Sequence, residues 1–484
     1  MGLTTSFNNA LSGLTASARS AEVVSSNVAN ALTAGYARRE LNLAAESLGG
    51  AGAGVRVDGV TRAVDQAILN DRRLADGDAG NARLRSGFLA EVEDRIGLPG
   101  DAGSLTGRVA ALEAALVQAA SRPDSPARLQ DVVNAAQDLA AHLNTLTKSV
   151  QQSRMDADST IARQVDDLNQ SLQRIDDLNT AITAQRAAGR DATGLMDQRQ
   201  QLVDRVAEIV PVREVACAHD QIALFTTGGA ILLEGTPARI GFAPVGVITA
   251  DMTLGSGALF GLAINGTPVP SGDSGVMGGG SLGASLAIRD DLAPAIQTQL
   301  DAFARNLIER FENPAVDPTL ASGQPGLFTD RGAPLDTAVE NGLAGRIMLN
   351  SRVDPGAGGA LWRLRDGLGA AVQGDVGDAT LILALGDSLA QTRVPGSGTF
   401  IGAARSAAGL AADVLSQVAT SRLDADTRAS FASARQETLT ELQLRDGVDT
   451  DAEMQNLLLI EQAYSANARV IRTIDDLIQQ LIGL

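Results

Sequence analysis

The chain has 484 residues, enough for several domains, and carries 39 Lys and Arg against 57 Asp and Glu, a formal net charge of −18. That acidity argues against a nucleic acid as the main partner, because such proteins need a cationic surface to displace counterions from phosphates. One cysteine, Cys217, excludes an intrachain disulfide, and two histidines, His142 and His219, leave little material for His-based catalysis or metal sites.

Aromatic residues make up only 3% of the chain, so its cores must be built from Ala, Leu, Val and Ile. The N-terminus opens on small residues. Phe7, Leu11, Leu14, Ala18, Ala21, Ser25, Val28 and Leu32 recur at alternating spacings of four and three, the seam of a coiled-coil helix. A glycine-rich run, Gly49 to Gly54, reads as a loop before a strand and does not fit a phosphate-binding loop. Helical patterning then dominates residues 80–210. Ser125-Pro126 is a helix-start signal, and Leu129 to Leu146 and Ile161 to Ile182 give two separate apolar stripes. A further helix spans 195–209 and stops at Pro211.

Residues 211–280 change character, with Gly, Thr and β-branched residues. Gly228-Gly229 and Asn265-Gly266 each sit between apolar runs, the signature of hairpins. Helix resumes over 286–311, a loop-rich stretch occupies 313–400, and helix returns over 401–443. Thr450 and Glu453 have the spacing of a capping box. The helix they precede carries Leu457, Ile460, Tyr464, Asn467, Ile471, Ile474, Ile478 and Leu481 on one stripe. Both terminal stripes are too narrow to be buried by one helix alone, so each end is expected to be largely unfolded in isolation and helical once packed.

No stretch is apolar enough to span a membrane, and the first basic residue is Arg19, so a cleaved signal peptide is not expected. The terminal helices have no basic face, which argues against a membrane-active amphipathic protein. Met1 to Ser6 matches only the loose pattern for N-myristoylation.

Several motifs resemble catalytic ones. Gly272-Asp273-Ser274-Gly275 would make Ser274 a hydrolase nucleophile with His219 as base and Asp251 as its partner, but with no aromatic-rich double barrel or disulfide set beside it the motif reads as a polar turn between strands. Gly279-Gly280-Ser281-Leu282-Gly283 matches a nucleophile elbow, but no histidine follows it. Cys217 and His219 are too few for a metal site. The acid pairs Asp166-Asp167 and Asp176-Asp177 read as a solvated helix face. No active site, metal or cofactor is expected.

The more specific signals are non-catalytic. Ser26-Asn27-Val28-Ala29-Asn30 leads to Thr33-Ala34-Gly35-Tyr36, where Asn27 and Asn30 have the character of bridging or capping residues and Gly35 that of a turn anchored by Tyr36. Near the other end stand Gly447-Val448-Asp449-Thr450-Asp451-Ala452-Glu453-Met454 and Gln462-Ala463-Tyr464-Ser465-Ala466-Asn467-Ala468-Arg469-Val470-Ile471. These runs resemble the bacterial flagellar axial proteins, whose rod, hook and hook-associated members share an N-x-A-N-x-x-T-x-G-Y signature and a G-V-N-x-D-E-E-M segment. Ala34 stands where the family usually has Pro. Within the chain, Leu195-Met196-Asp197-Gln198-Arg199 and Gly279 to Asp290 are similar to the junction-forming, first hook-associated branch, in which the elbow-like segment is a strand-to-helix passage.

The resemblance implies a mainly α, elongated multidomain chain with an inserted β domain: terminal helices forming a coiled-coil end, then a helical bundle, then a small β domain. The expected divisions are 1–45 (assembly helix and turn), 46–210 (bundle), 211–280 (β domain), 281–446 (bundle return) and 447–484 (assembly helix). It further implies a non-enzymatic ring subunit joining hook to filament. The expected partners are other copies of itself, hook protein, the next hook-associated junction protein, and an export chaperone at 447–484; no nucleic acid or membrane is among them. Export through the flagellar type III channel would place it outside the cell. The implied assembly interface is Phe7, Leu11, Leu14, Asn27, Val28, Asn30, Leu32, Gly35 and Tyr36 with Leu457, Ile460, Tyr464, Asn467, Ile471, Ile474, Ile478 and Leu481.

Overall fold

A computed structural model describes residues 2–33, 35–48, 51–400 and 402–483. Ala34 and the first two glycines of the 49–54 run lie outside the described residues. The chain begins with α1 (Leu3–Asn30), followed by a two-stranded antiparallel hairpin, β1 (Arg38–Leu48) and β2 (Ala51–Ala63). Gly52 and Gly54 of the glycine run thus lie within β2, where a loop is expected from the sequence, and β1 precedes it. Four helices follow: α2 (Gln66–Ile96), α3 (Leu105–Ser121), α4 (Pro126–Ala187) and α5 (Thr193–Ile209). Helix α2 starts well before residue 80 because Asp65 caps it, accepting from the amides of Ala67 and Ile68.

The two stripes read across 125–182 are one unbroken helix of 62 residues. At 1.5 Å per residue α4 is about 90 Å long, and it is the spine of the molecule. Its first half, Leu129 to Ala157, packs with α2, α3 and later elements in one apolar core. Its second half, Ile161 to Ile175, belongs to another, shared with α5 and the small sheets. Those sheets are β3 (Val212–Ala216), β4 (Ile222–Thr226), β5 (Ile231–Glu234) and β6 (Thr236–Pro237) in order, then β7 (Ile240–Gly241), β8 (Ala263–Ile264) and β9 (Thr267–Pro268). Both hairpin signals hold. At the second, Asn265 and Gly266 both have positive φ, the backbone a two-residue turn requires.

Next come α6 (Gly280–Ala287), one π turn and α7 (Ala293–Phe311). The expected strand-to-helix passage at Gly279-Gly280 is a turn-to-helix passage: residues 272–278 form successive tight turns. A side chain at Gly280 would meet the carbonyl of Ile209 at 2.3 Å, so glycine lets α6 press on the end of α5. The 313–400 stretch holds a short pair, β10 (Phe328–Asp330) and β11 (Ile347–Leu349), and two helices, α8 (Arg363–Asp366) and α9 (Thr380–Ala390). Asp301 on α7 pins this stretch by accepting from the amides of Gly342 and Ala344, both at 2.8 Å, and burial pushes its carboxyl up to about 6. The chain ends with α10 (Ala407–Arg445), which packs along α2, and α11 (Thr450–Ile482), which packs along α1.

The molecule is mainly α with small sheets. Sheets β3–β6 and β7–β9 pack on the half of α4 that leads to α5, and the helical core containing 313–400, with β10 and β11, packs on the other half. The reason is the length of α4, which passes through both cores.

Polar groups join these layers. Arg73 on α2, almost fully buried, pairs with Asp204 of α5 and Glu214 of β3, both at 2.6 Å. Arg289 pairs with Asp158 of α4 at 2.7 Å. Removing Arg289 would leave the buried Asp158 carboxylate without its charge partner. His142 on α4 is held neutral: burial and nearby Arg108 push its pKa down to about 4, only partly offset by a hydrogen bond with the backbone of Ile96. The unfolded chain takes up this proton near pH 6.5, so the stability that the neutral ring supplies is present above pH 6.5 and is lost as pH falls towards 4. His142→Gln is therefore expected to flatten the pH dependence of stability between 6.5 and 4, measured as urea midpoints across that range.

Candidate assembly site at the paired termini

Helices α1 and α11 run antiparallel, and their register is readable from two contacts. Asn27 faces Glu453, and Gly13 faces Asn467. A Cβ on Gly13 would stand 2.8 Å from the Asn467 amide, so a glycine in mid-helix lets the Asn467 side chain lie directly on the α1 backbone.

The centre of the site is the Asn27 side chain, 1% exposed. Its Oδ1 accepts from the Tyr36 hydroxyl (2.9 Å) and the Arg39 amide (2.9 Å). Its Nδ2 donates to the Arg39 carbonyl (2.9 Å) and to Glu453 Oε1 (3.1 Å). All four of its hydrogen-bonding positions are thus used, and they join α1, the turn after it, β1 and α11. Ser26 donates to the Tyr36 hydroxyl at 3.2 Å, and the Arg39 guanidinium lies over the Tyr36 ring. Glu453 does not act in a capping box. Asp449 is the cap of α11, accepting from the amides of Asp451 and Ala452, which frees Glu453 to reach Asn27. Asn30 serves its own helix end, donating to the Ser26 carbonyl and accepting from Thr33, and bridges nothing.

The hairpin leans on α1. Ser12 Oγ accepts from the Val55 amide at 3.1 Å and donates to the Asn9 carbonyl at 3.0 Å. Gly35, at φ 76°, turns the chain where any Cβ would meet the Gln201 side chain of α5 at 2.6 Å.

The N-terminal apolar stripe lies beside the buried face and does not coincide with it. The buried residues of α1 are Ala10, Ala16, Ser17, Val24 and Asn27. Leu14 and Val28 are half-buried, while Phe7 and Leu11 are exposed at 37% and 45% and Leu32 fully. The small residues win the close contact because they let backbones approach. On α11 the stripe is placed as read in its middle: Leu457, Ile460, Asn467 and Ile471 are half-buried and Ile474 is buried, whereas Tyr464, Ile478 and Leu481 stay exposed. A second row, with Leu459, Val470 and Leu477, also faces outward. The pair therefore keeps apolar rows on its outer surfaces.

The catalytic look-alikes do not assemble. Asp251 accepts from Thr249 (2.7 Å), Asp273 pairs with Arg85, and among the described residues no hydrogen bond joins Ser274 to His219 or Asp251. Ser281 of the false elbow donates to the Glu208 carbonyl at 3.1 Å. Cys217 is exposed, and no group of three or more His, Cys, Asp or Glu side chains suited to a metal exists among the described residues. Asp166, Asp167 and Asp177 face solvent. Among the described residues no helix is long and apolar enough to cross a membrane.

The two termini fold into one helical arm, joined through a hairpin to a helical core, and comparison with known proteins likens this arrangement to the axial proteins of the bacterial flagellum. Residues 7–36 match the family model of flagella basal body rod proteins, and 445–484 match the C-terminal model of flagellar basal body rod FlgEFG proteins. Residues 89–327 match the helical domain of flagellar hook-associated protein FlgK. The chain is similar to the flagellar hook-associated protein 1 of several bacteria. It is 27% identical to that protein of Salmonella typhimurium over 355 residues, covering 72% of this chain but 63% of the relative. The match to the Bacillus subtilis protein is 23% identical and covers all of this chain and 98% of the relative. The flagellar hook junction protein FlgK from Burkholderia pseudomallei overlaps in structure with a TM-score of 0.45 at 21% identity, over 54% of this chain and 46% of that one.

Sequence reading missed Arg39, Arg62 and Asp197 as parts of the site, and it assigned Glu453 to a cap. The available signal was a mid-helix glycine opposite a mid-helix asparagine. Asn27→Ala removes four hydrogen bonds and leaves buried groups unpaired, a local cost of about 2 kcal/mol or more. Amide protection is expected to fall at Arg39 and over 450–460 in hydrogen exchange, whereas Glu453→Gln, which keeps the acceptor, is expected to change protection far less.

Proposed function

We propose that this chain is a structural subunit of the flagellum that forms the junction ring between hook and filament. Its partners are other copies of itself, hook protein on one side and the next hook-associated junction protein on the other. It leaves the cell through the type III export channel, accompanied by an export chaperone bound at 447–484.

The observation that carries this reading is the two-sided arm. Helices α1 and α11 satisfy each other along one seam yet leave Phe7, Leu11, Leu459, Val470 and Leu477 in solvent. Only Glu453 and Ile474 of α11 are buried. Ordering a residue costs about 1–2 kcal/mol of backbone entropy, and so thin an interface offsets little of it. The arm reaches full order when neighbouring copies cover its outer rows, which restrains polymerisation before export. The assembly interface comprises the exposed stripe residues named above, with Asn27, Gly35 and Tyr36 shaping the arm from within. The comparisons support the family; the junction role follows by likeness to relatives that bear the same name.

Deleting 447–484 is expected to leave the bundle and sheets folded by circular dichroism but to abolish incorporation, scored as loss of filament attachment in a strain lacking the native subunit. A truncated chain that still joins hook and filament contradicts the reading, as does amide protection at both ends of the free full-length monomer that equals that of the bundle core.

A further inference from the structure

Among the described residues the foot of the hairpin meets the bundle at α5. Arg39 on β1 and Arg62 on β2 are register partners, directly opposite each other across the ladder. Two like charges so placed repel. Both point at one carboxylate: Arg62 Nε donates to Asp197 Oδ1 at 2.7 Å, and Arg39 Nη2 to Asp197 Oδ2 at 3.3 Å. All three side chains are 20% exposed or less. Arg62 also donates to Gln200 Oε1, and Gly35 rests against Gln201. Positions 197, 200 and 201 share one face of α5, and that face touches β1, β2 and the turn after α1.

Around this contact the arm is largely free of the core. A cavity of about 600 Å³ separates α1 and the hairpin from the α4–α5 turn, with Arg19, Asp58, Arg186 and Arg190 among its walls. Another of about 600 Å³ lies where α10 passes to α11, beside Arg38 and Asp65.

We infer that Asp197 is a positioning residue: it neutralises the opposed pair Arg39 and Arg62, and so sets the direction in which the assembly arm leaves the bundle. The hairpin foot has only one stable seat, because elsewhere the two guanidinium groups would face each other without a counter-ion. The seat also connects to the far terminus. Arg39 grips Asp197 with its side chain while its backbone holds Asn27, which holds Glu453. In a ring, every copy must present its arm at one common angle, and a stiff joint supplies it. That consequence rests on the assembly reading; the joint itself does not.

The test uses the full chain in a Cys217→Ser background, with spin labels at exposed Ser47 on the hairpin and Gln170 on α4 and electron-resonance distance measurement. The unmodified joint is expected to give one narrow distribution, Asp197→Asn to widen it at least twofold, and Asp197→Glu to keep it narrow, because the charge is retained. An unchanged width in Asp197→Asn overturns the inference. If that variant loses bundle helicity, the double variant Arg39→Ala, Arg62→Ala, altered only on the hairpin, decides the matter: a wide distribution supports the joint, and a narrow one refutes it. Both labels lie outside 447–484, so the same narrow distribution is expected in the chain lacking those residues, and failure of the assembly reading leaves this result untouched.

Discussion

The carboxamide of Asn27 is the contact on which the architecture of this protein turns. A primary amide offers two donors and two acceptor positions, and here all four are used, by Tyr36, by the backbone of Arg39 twice, and by Glu453. Hydrocarbon in that place would leave the amide and carbonyl of Arg39 unpaired inside the protein. A carboxylate would meet Glu453 as a like charge. Asparagine presents two donors and two acceptor positions at once, where a hydroxyl has a single donor, and so it can tie a helix start in the last forty residues to a strand in the first forty.

That tie places the ends of the chain beside each other at the base of a long helical spine, and the remaining features follow from the spine. Helix α4 threads two apolar cores, so the small sheets are laid along it and do not form a separate lobe at its tip. The cores are bound to each other by charges whose partners lie on different elements: Arg73 with Asp204 and Glu214, Arg289 with Asp158. Such pairs add little net stability over apolar packing, but they fix which surface meets which. In a chain whose cores are built from Ala, Leu, Val and Ile, with few large aromatic side chains to act as keys, that specificity is valuable.

The terminal arm is built on another principle. Its inner seam combines small residues, polar groups with directional demands and a few apolar side chains such as Val24 and Ile474, while Phe7, Leu11, Leu459 and Leu477 face outward. A helix pair arranged in this way holds its register without closing off its surface. Stability is concentrated in the bundle, and the arm, with thin burial, belongs to the low end of local stability. This is the distribution suited to a protein that must order a surface against neighbours.

The two terminal helices, the hairpin turns at Gly228-Gly229 and Asn265-Gly266, and the stop at Pro211 were legible in the residues, because each depends on local periodicity or on backbone geometry that few residues can adopt. The signature residues Asn27, Gly35 and Tyr36 were legible as a constellation, but their roles were not. Which row of α1 would be buried depended on how closely another helix could approach, and so on Gly13 and Ala10 more than on Phe7 and Leu11. Glu453 had equal local claims as cap or as bridge, and the presence of Asn27 across the seam decided between them. The pairing of Arg39 with Arg62 could not be read along the chain at all. It exists only once β1 and β2 are in register, and it is tolerable only because a carboxylate from α5, more than 130 positions away, arrives between them. Local sequence sets the elements and their ends; charge neutralisation and close approach between distant elements are properties of the folded chain.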